Sequence, residues 1–174
     1  MTEPDDDALL RHDPQRREKY AREFLDLFYP VHYRIGIGIE DAMRRGKLSR
    51  HQVAVMWLLR TEAPDTGELR RKAIERRLTS WFELQNSAVS KTLRSLAQPP
   101  HELIEIFEDP DSGREKRVRL TRAGHTEIDA IIEAGTAFIE TMVDHLTEQS
   151  SIEGVRFLSE VSEIIEIVNA EPEE

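Results

Sequence analysis

Cysteine is absent from this 174-residue sequence, which excludes structural disulfides, thiolate metal sites and thiol-based redox sensing. Apolar residues make up 39% of the chain, enough for a core, yet no run approaches the roughly 18 apolar residues of a membrane-spanning helix. The first ten residues, MTEPDDDALL, are acidic rather than basic and then apolar, unlike a secretory leader. We therefore expect a soluble, cytoplasmic protein without a membrane partner.

Patterns typical of enzymes and metalloproteins are also missing. The sequence has no glycine-rich phosphate loop and no strand-turn-helix nucleophile motif. His101, His125 and His145 lack the separation of three or four residues that a helical metal-binding pair needs. His51, near a predicted helix start, is interpreted as a surface residue. We predict no catalytic residue, no metal and no cofactor.

The charge is unevenly distributed along a chain whose net charge is −10. Residues 70–122 hold twelve Lys or Arg against eight Asp or Glu, a net charge of +4, so the remainder carries −14. A basic middle flanked by acidic ends is typical of a polyanion-binding face on an otherwise self-repelling protein. The alternative is a chance mixture of solvated faces.

The N-terminal part divides into an acidic tail and a helix. Residues 1–14 are rich in acids and poor in apolar groups, which predicts a mobile tail. Residues 15–47 carry one helix of a dimerisation region, with a kink expected at Pro30 and a stop at Gly46. Its apolar face repeats at three- and four-residue steps through Tyr20, Phe24, Leu27, Phe28, Val31 and Ile35.

Three helices are predicted next. Ser49 and Gln52 form a capping box before a short helix that is apolar almost all round and hence buried. A loop and a basic helix over about 69–78 follow. The third helix, 86–98, is expected to be capped by Asn86. It places Val89, Leu93 and Leu96 opposite a polar face made of Ser87, Ser90, Lys91, Arg94 and Gln98.

A β-hairpin and two further helices complete the chain. Residues 103–121 alternate apolar and polar residues on either side of the turn PDSG, which predicts two antiparallel strands. Thr121 caps the first of the C-terminal helices, and residues 122–170 return to the dimerisation region. Apolar stripes on these helices and on the first one exceed what a single 174-residue unit can bury.

This order of elements predicts a mainly α fold with a small β-hairpin wing: a winged helix-turn-helix over 48–121, flanked by long dimerisation helices. In such folds the third helix enters the DNA major groove and the hairpin reaches the backbone or minor groove. The candidate DNA contacts are Ser87, Ser90, Lys91 and Arg94 in the third helix, and Arg114, Lys116 and Arg117 at the tip of the wing. Asp109 and Asp111 are expected to orient Arg114.

Two stretches resemble the multiple-antibiotic-resistance regulator (MarR) family. SAVSKTLRSL at 87–96 is similar to the family's recognition helix, and DPDSGREKRVRLTRAG at 109–124 is similar to its wing. The resemblance implies a homodimeric repressor that binds a pseudo-palindromic operator in double-stranded DNA. It also implies relief by a small aromatic or anionic effector, whose candidate contacts are Tyr29, His32 and Tyr33. A dimer-interface role is the alternative for these three residues.

One segment departs from the family pattern. Residues 79–86, TSWFELQN, stand where the family has a short turn with a glycine, which predicts an enlarged turn. Trp81 and Phe82 either pack this turn into the core or form part of an unusual groove. The turn and the wing acids also favour a competing hypothesis, a winged-helix module that binds another protein instead of DNA.

Overall fold

The structure, a computed structural model, describes residues 13–63, 66–110 and 112–170, except for the side chains of residues 114 and 166–170. Most of the predicted tail, residues 1–14, lies outside these ranges. Its last two residues start a helix instead: the Asp13 carboxylate accepts the backbone N–H groups of Gln15 and Arg16 at 3.2 and 3.1 Å. Aspartate is a favoured N-cap because its side chain satisfies such free donors.

The single N-terminal helix predicted over 15–47 is divided in two. Helix α1 spans Pro14–Val31 and α2 spans Ile37–Arg44, with a π-helical turn over His32–Gly36 between them. The interruption begins two residues after Pro30, which has no N–H to give to the helix. The left-handed backbone of Arg45 and Gly46, with φ of 51° and 66°, then ends α2 as expected.

Three helices and a three-stranded sheet form the winged unit. The helices are α3 (Arg50–Thr61), α4 (Arg71–Phe82) and α5 (Asn86–Ala97). The strands are β1 (Glu68–Arg70), β2 (Ile104–Asp109) and β3 (Ser112–Leu120), in the order β1-β3-β2, with both pairs antiparallel. The predicted mainly α fold with a hairpin wing is therefore confirmed. The basic helix predicted over about 69–78 corresponds to α4, which starts and ends later than predicted. The short strand β1 was not predicted.

The local caps explain where these helices begin. Ser49 and Gln52 form the predicted reciprocal capping box, with bonds of 2.8 and 3.3 Å. The expected Asn86 cap is wrong: Gln85 precedes α5 without a side-chain capping bond, and Asn86 is the first helical residue.

Two helices follow the wing, α6 (Arg122–Val143) and α7 (Glu148–Ala170). Thr121 caps α6 by accepting the Gly124 N–H at 3.0 Å. Glycine is required at this position because a Cβ there would overlap the Leu103 carbonyl oxygen. Helix α2 packs along α6, where Gly38 leaves room for the ring of Phe138. These contacts attach the N-terminal helix to the winged unit.

The buried core lies within the winged unit and the start of α6. Its fully enclosed side chains come from α3, α4, α5, the sheet and α6, and include Met56, Leu58, Ile74, Leu78, Leu93, Leu96, Ile128 and Ile131. Helix α1 has no buried residue, and neither do the described side chains of α7. Large apolar side chains such as Leu27, Phe28 and Leu158 are instead 61–70% exposed. The two terminal helices are thus apolar without being covered.

Candidate nucleic-acid interface

Helix α5 has one buried face and one polar, accessible face. Val89, Leu93 and Leu96 are fully or almost fully buried, which fixes the helix against α3 and the sheet. Ser87, Lys91 and Arg94 are exposed on the other side. The structure therefore places three of the four candidate contacts of this helix on an exposed surface.

The fourth candidate, Ser90, is half-buried and engaged within the protein. Its hydroxyl donates to the Asn86 carbonyl oxygen at 2.9 Å and accepts from Arg71 Nη2 at 2.7 Å. A second bond holds the other end of α5, where Gln52 Nε2 donates to Ser95 Oγ at 3.2 Å. The recognition helix is thus tied to both α3 and α4 by polar side chains.

The wing cations occupy different environments. Lys116 is exposed on β3, as expected for a phosphate contact. Arg117 is not at the hairpin tip: it pairs across the sheet with Phe107 and Arg70. Its guanidinium lies 3.1 Å from Asp109 and 3.4 Å from Glu68, and only 20% of the side chain is exposed. The side chain of Arg114 lies outside the described residues, as does Asp111.

An ion-pair network crosses the sheet. The Asp109 carboxylate, whose side chain is fully buried, contacts Arg117 and is 3.7 Å from Arg70, so it holds the wing to β1. Glu115 lies 3.1 Å from Lys72 and 3.7 Å from Arg70. Arg119 adds a pair with Glu105 at 2.8 Å and stacks over the ring of Phe107 at 4.8 Å. Much of the wing's positive charge is therefore matched by acids inside the protein.

Two grooves lie beside the wing, one next to α5 and the other next to α4. One, of about 320 Å³, lies between the recognition helix and the strands and is lined by Ser90, Arg94, Gln98, Ile106, Arg71 and Lys116. The other, of about 250 Å³, lies beside the N-terminus of α4 and is lined by Arg70, Lys72, Glu75, Glu115, Arg71 and Lys116. Arg71 and Lys116 line both, so the cations of helix and wing face a shared channel that suits a polyanion.

The predicted enlarged turn over 79–86 is wrong. Helix α4 continues through Phe82, and only residues 83–85 connect it to α5, with Glu83 in the left-handed region at φ 51°. Phe82 is half-buried against the core, with His51 4.9 Å and the Arg50 guanidinium 4.8 Å from its ring. Trp81 is 48% exposed. The recognition helix is therefore joined by a turn of ordinary length.

The pKa of His51 is lowered from its usual value. Burial against Phe82 lowers the pKa of its imidazole, the neighbouring Arg50 cation lowers it further, and Glu40 of α2 acts in the opposite direction. The interpretation of His51 as a plain surface residue is thus incomplete, because its ring packs at the seam between α2 and the winged unit.

Solved structures share this architecture over most of their length. A MarR-family transcription regulator superposes with a TM-score of 0.61 at 15% identity, covering 94% of this chain and 99% of the other. Residues 48–124 match the family model of the winged helix DNA-binding domain. The chain has the MarR fold. A comparison with curated protein sequences gave no match.

Two further structures with this fold belong to proteins that bind DNA. A mutant of Staphylococcus aureus MepR, bound to an oligodeoxyribonucleotide, superposes with a TM-score of 0.54 at 18% identity, covering 82% of this chain and 97% of that one. Bordetella bronchiseptica BpsR, whose DNA binding is regulated by 6-hydroxynicotinic acid, gives a TM-score of 0.58 at 18% identity, covering 79% and 91%. At these identities the likeness concerns the fold.

Within this MarR fold, the three residues expected to contact an effector lie close together and are exposed. The rings of Tyr29 and Tyr33 are 5.0 Å apart and those of His32 and Tyr33 5.2 Å apart. Tyr29 and Tyr33 are 60% and 51% exposed. A separate cavity of about 440 Å³ lies between α2, α3 and α6 and is lined by Ile39, Met43, Trp57, Ile132, Gly135, Thr136, Ile139, Glu140 and Val143. None of the three predicted residues lines it.

Two searches of the described residues bear on other functions. No group of three or more His, Asp or Glu there is placed to share a metal ion. Nor does any helix in this part of the chain combine the length and apolarity needed to cross a bilayer.

Sequence reasoning missed Arg70, Arg71 and Lys72 as parts of this surface, and Gln52 as the buried side chain that joins α3 to α5. Residues 70–72 were assigned to a generic basic helix, although they mark the point where β1 turns into α4. Their partners, Ser90, Asp109 and Glu115, are 19 to 45 residues away in sequence. No local pattern carries that information. The charge count over 70–122 was the only available signal.

Proposed function

We propose that this protein is a homodimeric DNA-binding transcriptional regulator of the MarR type that represses genes by occupying a pseudo-palindromic operator. The observation that carries the proposal is the exposed face of α5, with Ser87, Lys91 and Arg94, beside a wing whose Lys116 faces the same channel. Lys and Arg on a helix of this kind bind guanine edges, and a wing cation binds phosphate.

Dimerisation is supported by the uncovered terminal helices. A groove of about 450 Å³ between α1 and α7 is lined almost entirely by apolar side chains, among them Phe24, Leu27, Phe157 and Leu158. The rings of Phe24 and Phe157 already meet at 5.4 Å. A second copy of the same two helices would cover these surfaces, and the two-fold axis would present two α5 helices to successive major grooves.

Effector control is proposed at the cavity between α2, α3 and α6. This cavity lies between the N-terminal helix and the winged unit, so its occupant would alter how the two regions pack. The described residues that line it include one acid, Glu140, and no Lys or Arg, which favours a neutral aromatic ligand over an anionic one. Quenching of Trp57 fluorescence in a Trp81→Phe variant, titrated with size-matched neutral and anionic aromatic compounds, tests both the site and the preference.

The competing function, a winged-helix module that grips another protein, is favoured by the ion pairs of the wing. Because Asp109, Glu115 and Glu105 compensate Arg117, Arg70 and Arg119, fewer cations remain for phosphate than the sequence suggests. This leaves α5 and Lys116 as the principal described contributors to DNA affinity. The two functions therefore differ in whether the protein discriminates one duplex from another.

A gel-shift series distinguishes them. The full chain is titrated onto duplexes that tile the region upstream of its own gene, and onto scrambled duplexes of equal composition, at several salt concentrations. A regulator binds one tile at least about a thousandfold more tightly than the scrambled duplex. Its affinity falls as salt rises, because bound phosphates release counterions. Equal, weak binding to all duplexes contradicts the proposal and supports the protein-binding module.

A further inference from the structure

Arg71 joins two helices at the first residue of α4. Its Nε donates to Glu75 Oε1 at 2.8 Å, one turn further along the same helix. Its Nη2 donates to Ser90 Oγ on α5 at 2.7 Å. The planar guanidinium thus makes two bonds in different directions, and its side chain is one-third exposed.

The acceptor of the second bond has a fixed orientation. The Ser90 hydroxyl gives its proton to the Asn86 carbonyl oxygen at 2.9 Å, so its remaining lone pairs face outward toward Arg71. This matters because the start of α5 has no side-chain cap: Gln85 precedes the helix without a capping bond. The bond from Arg71 therefore restrains the first turns of α5, which carry Ser87 and Lys91.

The position of Arg71 relative to the grooves supports the same role. Arg71 and Lys116 are the two residues that line both the groove beside α5 and the groove beside α4. Arg71 thus lies where α4, α5 and the wing converge. A change in the direction of its guanidinium would alter the angle between recognition helix and wing.

We propose that Arg71 is a positioning residue of the recognition helix, which sets sequence discrimination by holding Ser90, and through it α5, rather than by touching bases. This inference rests on the proposed DNA-binding function. Arginine is required because a lysine ammonium carries the same charge but has no fork that spans Glu75 and Ser90 at once. A hydrogen bond to a charged group typically contributes enough to change an equilibrium about tenfold.

The first test uses a substitution that preserves charge, Arg71→Lys. Arg76→Lys is the matched control, because Arg76 is exposed on the same helix and its side chain makes no hydrogen bond or ion pair with the described residues. Affinities for the selected tile and its scrambled duplex are measured across salt. We expect Arg71→Lys to lower the ratio of the two affinities about tenfold. The salt slope should stay unchanged, and Arg76→Lys should alter neither quantity.

Two outcomes overturn the proposal. If Arg71→Lys behaves like Arg76→Lys, charge alone is sufficient and the fork has no role. If Arg71→Ala weakens both duplexes equally and lowers the salt slope while Arg71→Lys does not, Arg71 is an ordinary phosphate contact. A double-mutant cycle with Ser90→Ala separates these cases further. Positioning requires that Arg71→Lys lose most of its effect when Ser90 is absent.

Hydrogen exchange of the α5 amides, measured on the same variants without DNA, distinguishes a failure of the positioning role from a failure of the proposed function. If the wild-type protein discriminates no duplex, the regulator hypothesis fails. Faster exchange in α5 for Arg71→Lys, but not for Arg76→Lys, would still show that Arg71 holds the helix. Unchanged exchange together with unchanged discrimination rejects the positioning role in either case.

Discussion

The winged unit buries its apolar side chains within the chain, whereas the terminal helices leave theirs exposed. In the winged unit, Met56, Leu58 and Ile74 are completely enclosed by neighbours from the same chain. In α1 and α7, Leu27 and Leu158 are 70% and 66% exposed although both belong to apolar stripes. A similar helical pattern therefore specifies an internal core in one region and a surface that needs a partner in the other.

The polar groups of the two regions differ in the same sense. The winged unit ties distant segments together by side-chain bonds, such as Gln52 to Ser95 and Arg117 to Asp109. The described ion pairs of α1 and α7 are local pairs four residues apart, such as Arg22 with Glu18 and Arg156 with Glu160. Local pairs support a helix but do not fix its neighbours. Among the described residues, α1 and α7 thus meet through apolar contacts such as that of Phe24 with Phe157.

The largest expected effect is on the terminal helices. Leu158→Asp introduces a charge into the proposed dimer surface and should weaken dimerisation by about 3 kcal/mol, roughly a hundredfold in Kd. Arg156→Gln, which changes the net charge by the same single unit and lies on the opposite face of α7, should have no such effect. Sedimentation velocity across micromolar concentrations measures both. If the wild-type protein is monomeric throughout this range, the exposed apolar faces of α1 and α7 are not a dimer interface.

The next effect separates two neighbouring cations of the winged unit. Arg117→Ala leaves the buried Asp109 carboxylate with fewer partners and should lower the free energy of unfolding by about 2–3 kcal/mol. Lys116→Ala should leave stability unchanged and reduce the salt slope of DNA binding by about one. Denaturant unfolding and salt titrations of both variants provide the measurement. If the Arg117→Ala variant has normal stability and a reduced salt slope, Arg117 contacts DNA and is not needed to pair with Asp109.

The contrast between Lys116 and Arg117 also shows what the sequence could predict. Features encoded within a few residues were predicted correctly: the Ser49–Gln52 capping box, the buried face of α5, the hairpin and the Thr121 cap. Arg117 follows Lys116 directly, and its environment depends on the pairing of β3 with β2 across an irregularity at Glu108 and Asp109. Strand register of this kind is a long-range property.

The errors in the helices have a related cause. TSWF was assigned to a turn because residues 79–86 stand where the MarR family has a short turn with a glycine. In the structure Thr79 donates to the Glu75 and Arg76 carbonyl oxygens, and Phe82 packs on the core, so tertiary contact extends α4. Strand β1 was missed because three residues are too few for a periodic signal. Its pairing with β3 decides its conformation.

A smaller effect concerns the exposed face of α5. Arg94→Ala should lower affinity for the selected duplex by about 1–3 kcal/mol and for scrambled DNA much less, because base contacts carry the discrimination. Thermal stability should stay near that of the wild type, since Arg94 is exposed. Val89→Ser is the opposite control: Val89 is completely buried, so this change should destabilise the fold. Equal weakening of both duplexes by Arg94→Ala would deny α5 its role as the sequence reader.

The smallest effect lies between α2 and the winged unit, where His51 packs on Phe82 near the charges of Arg50 and Glu40. Burial and Arg50 lower the pKa of His51, so the folded state prefers the neutral imidazole. The sign of the linkage follows: this contribution to stability is complete above the unfolded pKa of about 6.5 and is lost as the pH falls below it. Thermal unfolding between pH 8 and pH 5, compared with His51→Gln, isolates the effect as a smaller loss of stability for the variant on acidification. Because the chain holds five other histidines, only the difference between the two proteins is informative. Identical pH profiles would mean that the His51 ring is as solvated in the folded protein as in the unfolded chain, and that the seam with α2 is looser than its contacts indicate.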